Sequence, residues 1–114
     1  MITSSPPRLD AIRRIGRALA DPTRAAILLA LLDGARYPAD LVDDLCVSKQ
    51  SVSKHLACLR DCGIVVAEPE GRRVRYEISD PRLRHALHDL VGVVLVVDPV
   101  DACETSANDA VALS

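Results

Sequence analysis

The chain has 114 residues, 49% hydrophobic and 26% charged, with a formal net charge of −2; that is one domain's length with a core of its own, in a globular composition class. It contains neither Phe nor Trp, so the core must be aliphatic, and the apolar run near its end, residues 93–97, is far too short to span a membrane. Residues 1–7 lack the basic and apolar regions of a signal peptide, which points to the cytosol, where four cysteines stay reduced and suit metal or redox roles better than disulfides.

Residues 1–7 read as a flexible leader. Residues 8–20 form an amphipathic helix with Leu9, Ile12, Ile15, Gly16 and Leu19 on or near one face. Asp21-Pro22 is an N-cap followed by a proline at the first helical position, opening a second helix through Ile27, Leu28, Leu31 and Leu32 that stops near Asp33-Gly34. A short third helix after Tyr37-Pro38 uses Leu41, Val42 and Leu45. Cys46-Val47 is the turn into a fourth helix, which runs from an N-cap at Ser48 to a helix-ending Gly63. Val52, Leu56 and Leu59 give that helix a core face. Two short helices joined by a tight turn make a helix-turn-helix.

Beyond Gly63 the period becomes strand-like. The β-branched run Ile64-Val65-Val66-Ala67-Glu68 and the alternating Val74-Arg75-Tyr76-Glu77-Ile78 form a hairpin around Glu70-Gly71-Arg72-Arg73. The expected fold class is therefore mainly α with a small β-hairpin, a winged helix-turn-helix. Ser79 or Asp80 caps a last helix carrying Leu83, Ala86, Leu87, Leu90, Val91, Val94 and Leu95 and ending at Asp98-Pro99. Its apolar surface needs cover on more than one side, so Leu87, Leu90, Val91, Val94 and Leu95 are expected at a homodimer interface. The domain spans residues 8–98, followed by an acidic mobile tail, 99–114, that carries Cys103.

Charge is unevenly spread. Residues 49–76 hold six basic residues (Lys49, Lys54, Arg60, Arg72, Arg73, Arg75) against three acidic (Asp61, Glu68, Glu70), while the tail from Asp98 has four acids and no base. Such a distribution suits a binder of double-stranded DNA with modest electrostatic affinity, despite the negative total. The first turns of the fourth helix offer Lys49, Gln50, Ser51, Ser53 and Lys54 to phosphates and base edges, with Arg72 and Arg73 gripping backbone from the wing. There is no Gly-rich phosphate loop and no nucleophile with a placed base, so an enzyme is not expected.

The last turns of the same helix carry Cys58 and Cys62, four residues apart and on one face. At that spacing Cβ atoms lie about 5–6 Å apart, whereas a disulfide needs about 3.5–4.5 Å. A metal ion relaxes this demand, since each sulfur sits about 2.3 Å from a zinc-sized ion. Cys103 has little to pack against, which favours a ligand role, and Cys46 reads as a core residue. His55 reads as a packing or phosphate contact, and His85 and His88 as solvated or at the dimer seam. A thiol-based redox-responsive repressor, or a metal-independent one, is the alternative function.

The order of elements resembles the ArsR/SmtB family of metal-sensing repressors over roughly residues 9–97. The residues that carry the likeness are Leu19-Ala20-Asp21-Pro22-Thr23-Arg24, Ser51-Val52-Ser53-Lys54-His55-Leu56, Leu59-Arg60-Asp61-Cys62-Gly63 and Glu70-Gly71-Arg72-Arg73-Val74-Arg75-Tyr76. Cys58-Leu59-Arg60-Asp61-Cys62-Gly63 with Cys103 resembles the family's cadmium and lead sensors. The resemblance implies a repressor that binds its operator when metal-free and is released by Cd(II) or Pb(II), with Zn(II) a further option. It also implies a metal site of Cys58, Cys62 and Cys103 whose tail thiol comes from the other protomer. Two family patterns are missing. The Cys-Val-Cys of arsenic-type members is reduced to Cys46-Val47-Ser48, and His85 and His88 lack the upstream Asp-x-His of the zinc- and nickel-type site.

Overall fold

A computed structural model describes residues 7–93 and contains five helices and one hairpin: α1 (Pro7–Ala20), α2 (Pro22–Leu32), α3 (Pro38–Leu45), α4 (Lys49–Asp61), β1 (Val65–Glu70), β2 (Arg73–Ile78) and α5 (Pro81–Val91). The helix starts are set by local chemistry. Asp21 Oδ2 accepts the Arg24 N–H at 2.9 Å, Ser48 Oγ accepts the Ser51 N–H at 3.0 Å, and Asp80 Oδ1 accepts the Arg82 N–H at 2.7 Å. Each satisfies one N–H that the first helical turn leaves without an intrahelical partner. Proline stands in the opening turn of α2, α3 and α5, where its missing N–H costs nothing.

Helix α4 ends in a Schellman arrangement. The Gly63 N–H donates to the Arg60 carbonyl at 2.9 Å and the Ile64 N–H to the Leu59 carbonyl at 3.0 Å, with Gly63 at φ +81°. Glycine takes this left-handed conformation without the Cβ clash that any other L-residue incurs. Ile64 is thereby turned back under the helix, and the chain enters β1.

The core is aliphatic throughout. Ile27, Leu28 and Leu31 of α2 meet Leu41 of α3, Val52, Leu56 and Leu59 of α4, Ile64, Val65 and Ile78 at the hairpin base, Leu87 of α5 and Ala18 of α1. Fully burying a side chain of this size stabilises by about 1.5–3 kcal/mol before ordering costs, so α2 and α4 form the centre on which the rest is mounted. Arg84 of α5 donates to the Leu32 carbonyl at 3.1 Å, tying the C-terminus of α2 to α5.

The antiparallel hairpin pairs Val65 with Ile78 and continues to Glu70 opposite Arg73. Gly71 and Arg72 alone make the turn, and Gly71 has φ +63°, as a first central hairpin residue with positive φ requires. The strands run to the tip, so Pro69 and Arg73 are strand residues rather than loop residues, and β1 begins at Val65 rather than at the expected Ile64. Arg36, between α2 and α3, adds an isolated antiparallel bridge to Tyr76, with N–H to carbonyl distances of 2.9 and 2.8 Å. The wing is thus hydrogen-bonded along one edge to the α2–α3 connection.

Two expectations are corrected, for the end of the last helix and for Cys46. Helix α5 ends at Val91 with Gly92 as its C-cap, not at residue 97; glycine is among the least favourable residues in a helix interior. Val94, Leu95 and Cys103 lie outside the described residues. Cys46 is not a core residue: it is exposed and is the C-cap of α3 at φ +56°, since the left-handed end of that helix turns its side chain away from Leu41 and Leu45. On α1, Leu9 and Ile12 are exposed and only Ala18 is buried, so the apolar face read from the sequence is largely uncovered within one chain.

Candidate functional site

Helix α4 carries two chemistries at its two ends. At its N-terminal end Lys49, Gln50, Ser53 and Lys54 are exposed and Ser51 is half-buried, while Val52, Leu56 and Leu59 hold the opposite face in the core. The first turn contains no acid and begins on a lysine. That reverses the usual charge preference at a helix N-terminus, where the macrodipole favours anions. The unpaired N–H groups, the dipole and the lysines together make this end attractive to phosphate.

The wing supplies a second basic element, and the structure divides its arginines. Arg72 sits at the turn and is exposed. Arg73 lies with its guanidinium carbon 3.4 Å from the centroid of the Tyr37 ring, a cation–π arrangement. The Tyr37 hydroxyl donates to Glu70 Oε1 at 2.5 Å, and this bond raises the Tyr37 phenol above its ordinary range. Arg75 is surrounded by carboxylates: Glu68 at 2.9 Å, Glu70 at 3.3 Å and Glu77 at 3.6 Å. Hydrogen bonding to Glu68, with the charges of Glu77 and Glu70, holds it protonated more firmly than usual. Arg75 is therefore committed within the wing. Tyr37 had been legible only as the start of α3; no sequence signal links it to the hairpin tip thirty-odd residues on, because the contact is made by tertiary packing.

At the other end of α4, Cys58 and Cys62 line one cavity of about 110 Å³ together with Leu59 and with Arg17, Ala18 and Arg24 from α1 and α2. The Cys62 N–H donates to the Cys58 carbonyl at 3.1 Å, so the turn that spaces the two thiols is regular helix. Cys58 is exposed and Cys62 half-buried, and both are free thiols. Two soft donors one helical turn apart, beside an opening, fit a thiophilic ion. Among the described residues no group of three or more Cys, His, Asp or Glu side chains converges on one point. The third thiol expected at the site, Cys103, is outside the described residues.

One turn earlier on α4, His55 is directed at α2. Its Nε2 is 3.8 Å from Asp21 Oδ2, and its Nδ1 is buried without a hydrogen-bond partner among the described residues. The Asp21 carboxyl is opposed by burial, but the Arg24 amide and the nearby His55 hold it below its ordinary value. This pairing puts His55 in the α2–α4 packing and not in the groove-facing set. His85 and His88 of α5 are exposed, with His85 3.4 Å from Asp89.

Leu19, Leu28, Leu29, Leu32, Leu87 and Leu90 line an apolar groove of about 190 Å³ between α1, α2 and α5. Leu90 and Val91, two of the expected interface residues, are more than half exposed beside it, and Leu87 is buried at its base. No helix among the described residues is long and apolar enough to cross a membrane.

Comparison with known proteins gives the family. Residues 21–66 match the bacterial regulatory protein, arsR family. The HTH-type transcriptional regulator CmtR of Mycobacterium tuberculosis (strain ATCC 25618 / H37Rv) is 55% identical over 96 residues, covering 84% of this chain and 81% of its own. The NMR structure of the cadmium metal-sensor CmtR from Mycobacterium tuberculosis superposes with a TM-score of 0.64 at 54% identity, over 82% of this chain and 97% of that one. The homodimeric winged helix-turn-helix DNA-binding domain of Mb0332 from Mycobacterium bovis gives a TM-score of 0.67 at 30% identity, over 81% and 90% of the two chains. By sequence and by its winged helix-turn-helix, the chain belongs to the ArsR family of bacterial regulatory proteins.

Proposed function

We propose that this chain is a cytoplasmic, homodimeric, metal-responsive transcriptional repressor that binds operator DNA when metal-free and is released by a thiophilic heavy-metal ion, Cd(II) or Pb(II), with Zn(II) a weaker fit. The observation that carries the proposal is the division of α4: exposed Lys49, Gln50, Ser53 and Lys54 at one end, and paired Cys58 and Cys62 at the other. Similarity to a cadmium metal-sensor supports it.

In this reading Lys49, Gln50, Ser51, Ser53 and Lys54 enter the major groove, and Arg72 and Arg73 meet phosphates from the wing. Two such helices in a two-fold dimer address half-sites about 34–36 Å apart. The dimer forms over the uncovered faces of α1 and α5, with Leu87, Leu90, Val91, Val94 and Leu95 in the seam. The helices and hairpin from Pro7, with the residues up to 98, are the DNA-binding and dimerisation unit, the residues before Pro7 a leader, and 99–114 a tail that delivers Cys103. Cys58 and Cys62 capture a soft ion as thiolates; Cys103 completes the set, and a three-sulfur site selects soft ions over Mg(II) or Ca(II). Closing that set brings the acidic tail to the C-terminal end of α4, where it repels phosphate and biases the dimer away from the DNA-binding form. Coupling of this kind is reciprocal: DNA must weaken ion binding by the factor by which the ion weakens DNA binding.

The test is operator binding by the reduced protein, followed by fluorescence anisotropy with and without Cd(II). Tight, salt-dependent binding that Cd(II) reverses and a chelator restores is the expected result. Equal affinity with and without Cd(II), Pb(II) and Zn(II) would overturn the metal reading and leave a metal-independent regulator.

A further inference from the structure

The side chain of Arg24 reaches the thiol cavity from α2. Its place is fixed by the helix start: Asp21 caps the helix through the Arg24 N–H, and the guanidinium turns back so that one terminal nitrogen donates to the Arg17 carbonyl at 2.9 Å. That carbonyl belongs to the last turn of α1, whose carbonyls have no intrahelical partner. Arg24 thus crosses between α1 and α2 and lines the cavity shared by Cys58 and Cys62. Its Nε is buried and has no acceptor among the described residues. A buried charged donor without an acceptor loses hydration and gains nothing in return, so it marks a place where an acceptor belongs.

We infer that Arg24 is a positioning residue of the sensor site, whose Nε–H donates a hydrogen bond to a ligand thiolate of Cys58 or Cys62 when the site is filled; the inference rests on the metal reading above. Thiolates around a divalent ion keep negative charge on their sulfurs, and sulfur is the side-chain acceptor that the two cysteines bring to this cavity. The guanidinium fits both needs, offering a cation and a directed N–H that is already desolvated and already anchored by its other nitrogen. Groups that hydrogen-bond to ligating atoms orient them, and losing one typically weakens metal binding about 10–100-fold. Lysine cannot replace it, because an ammonium lacks the planar fork that serves the Arg17 carbonyl and a thiolate together.

The experiment titrates the reduced full-length protein and its Arg24→Lys and Arg24→Gln variants with Cd(II) against a competing chelator, recording thiolate-to-metal charge-transfer absorbance. Both variants are expected to bind about tenfold more weakly or worse. Their band should move to longer wavelength, because a sulfur lone pair that loses its hydrogen bond rises in energy. In the unmutated protein, 15N-labelled at arginine, the Arg24 Nε–H resonance should move downfield on adding 113Cd(II) and couple to that nucleus. This readout needs no variant to fold and is not moved by a purely structural role. An unmutated protein with a charge-transfer band, but with an Arg24 Nε–H resonance indifferent to Cd(II), overturns the inference and leaves the metal reading standing. So does an Arg24→Lys variant with unchanged affinity and band. An unmutated protein with no charge-transfer band overturns both.

Discussion

The guanidinium of Arg73 lies 3.4 Å from the ring centroid of Tyr37, so the tip of the wing is held by a residue that precedes α3. The same ring's hydroxyl holds Glu70, which stands opposite Arg73 in the hairpin register. One side chain therefore fixes both ends of the last rung before the turn. Tyr37→Ala should loosen the wing and lower affinity by about two- to fivefold, the range of an exposed cation–π contact, by a similar factor on operator and non-specific DNA. Anisotropy titrations on both sequences check this; a loss confined to the operator would mean that Tyr37 reads bases.

Arg72 and Arg75 should behave differently although they are three residues apart. Arg72 is exposed at the turn, and Arg72→Ala should reduce the slope of log affinity against log salt by about one. Arg75 is already ion-paired with Glu68, Glu70 and Glu77, and Arg75→Ala should leave that slope nearly unchanged. Equal slopes for the two variants would show that the wing does not approach the backbone as described.

On α4, Gln50→Ala should cost about 1–3 kcal/mol on the operator and little on non-specific DNA, because an amide side chain in the groove would read base edges. Lys54→Ala should weaken both alike, as a phosphate contact does. If both variants retain full operator affinity, α4 does not lie in the groove.

Gly63→Ala should destabilise the fold by about 1–2 kcal/mol, the cost of a left-handed non-glycine residue. An added Cβ would meet no heavy atom within 4 Å, so the whole effect is backbone strain at φ +81°. Urea unfolding measures it; an unchanged midpoint would mean that α4 ends differently in solution.

Asp21 gives a pH dependence with a definite sign. Its carboxyl is held below the ordinary value of 3.8, the N-cap bond from Arg24 and the charge of His55 outweighing burial. A depressed folded value stabilises the fold above the unfolded value and loses that contribution as pH falls through the folded one. Asp21→Asn keeps a good N-cap and removes the charge. The variant should be less stable near neutral pH, and the gap should close below about pH 4. A gap that persists in acid would assign the effect to the cap geometry instead.

Local chemistry was legible where one short stretch decides the outcome. Ser48 and Gly63 bracket α4 as their capping roles dictate, Asp21-Pro22 opens α2, and Gly71 makes the hairpin turn. Legibility stops where distant segments meet or a partner is needed. Nothing local joins Tyr37 to Arg73 or brings Arg24 beside Cys58. The apolar pattern of α1 was visible, and its uncovered face agrees with the expectation that the first helix joins the last in a dimer seam. Cys46 looked like a core position by composition, yet the left-handed end of α3 turns it outward. The last helix read as continuous because valines follow Gly92, and that glycine ends it.

The most direct measurement of the central claim is charge-transfer absorbance on Cd(II) titration of the reduced protein and its four single Cys→Ser variants, each paired with operator release. Cys58→Ser and Cys62→Ser should abolish tight binding, because those two thiols are preorganised by α4 and line one cavity. Cys103→Ser should retain weaker binding yet lose most of the release from DNA, since ordering the tail is the step that couples the sites. Cys46→Ser should change neither. Loss of the metal response in Cys46→Ser with no effect in Cys103→Ser would contradict the account and move the site to the turn between α3 and α4.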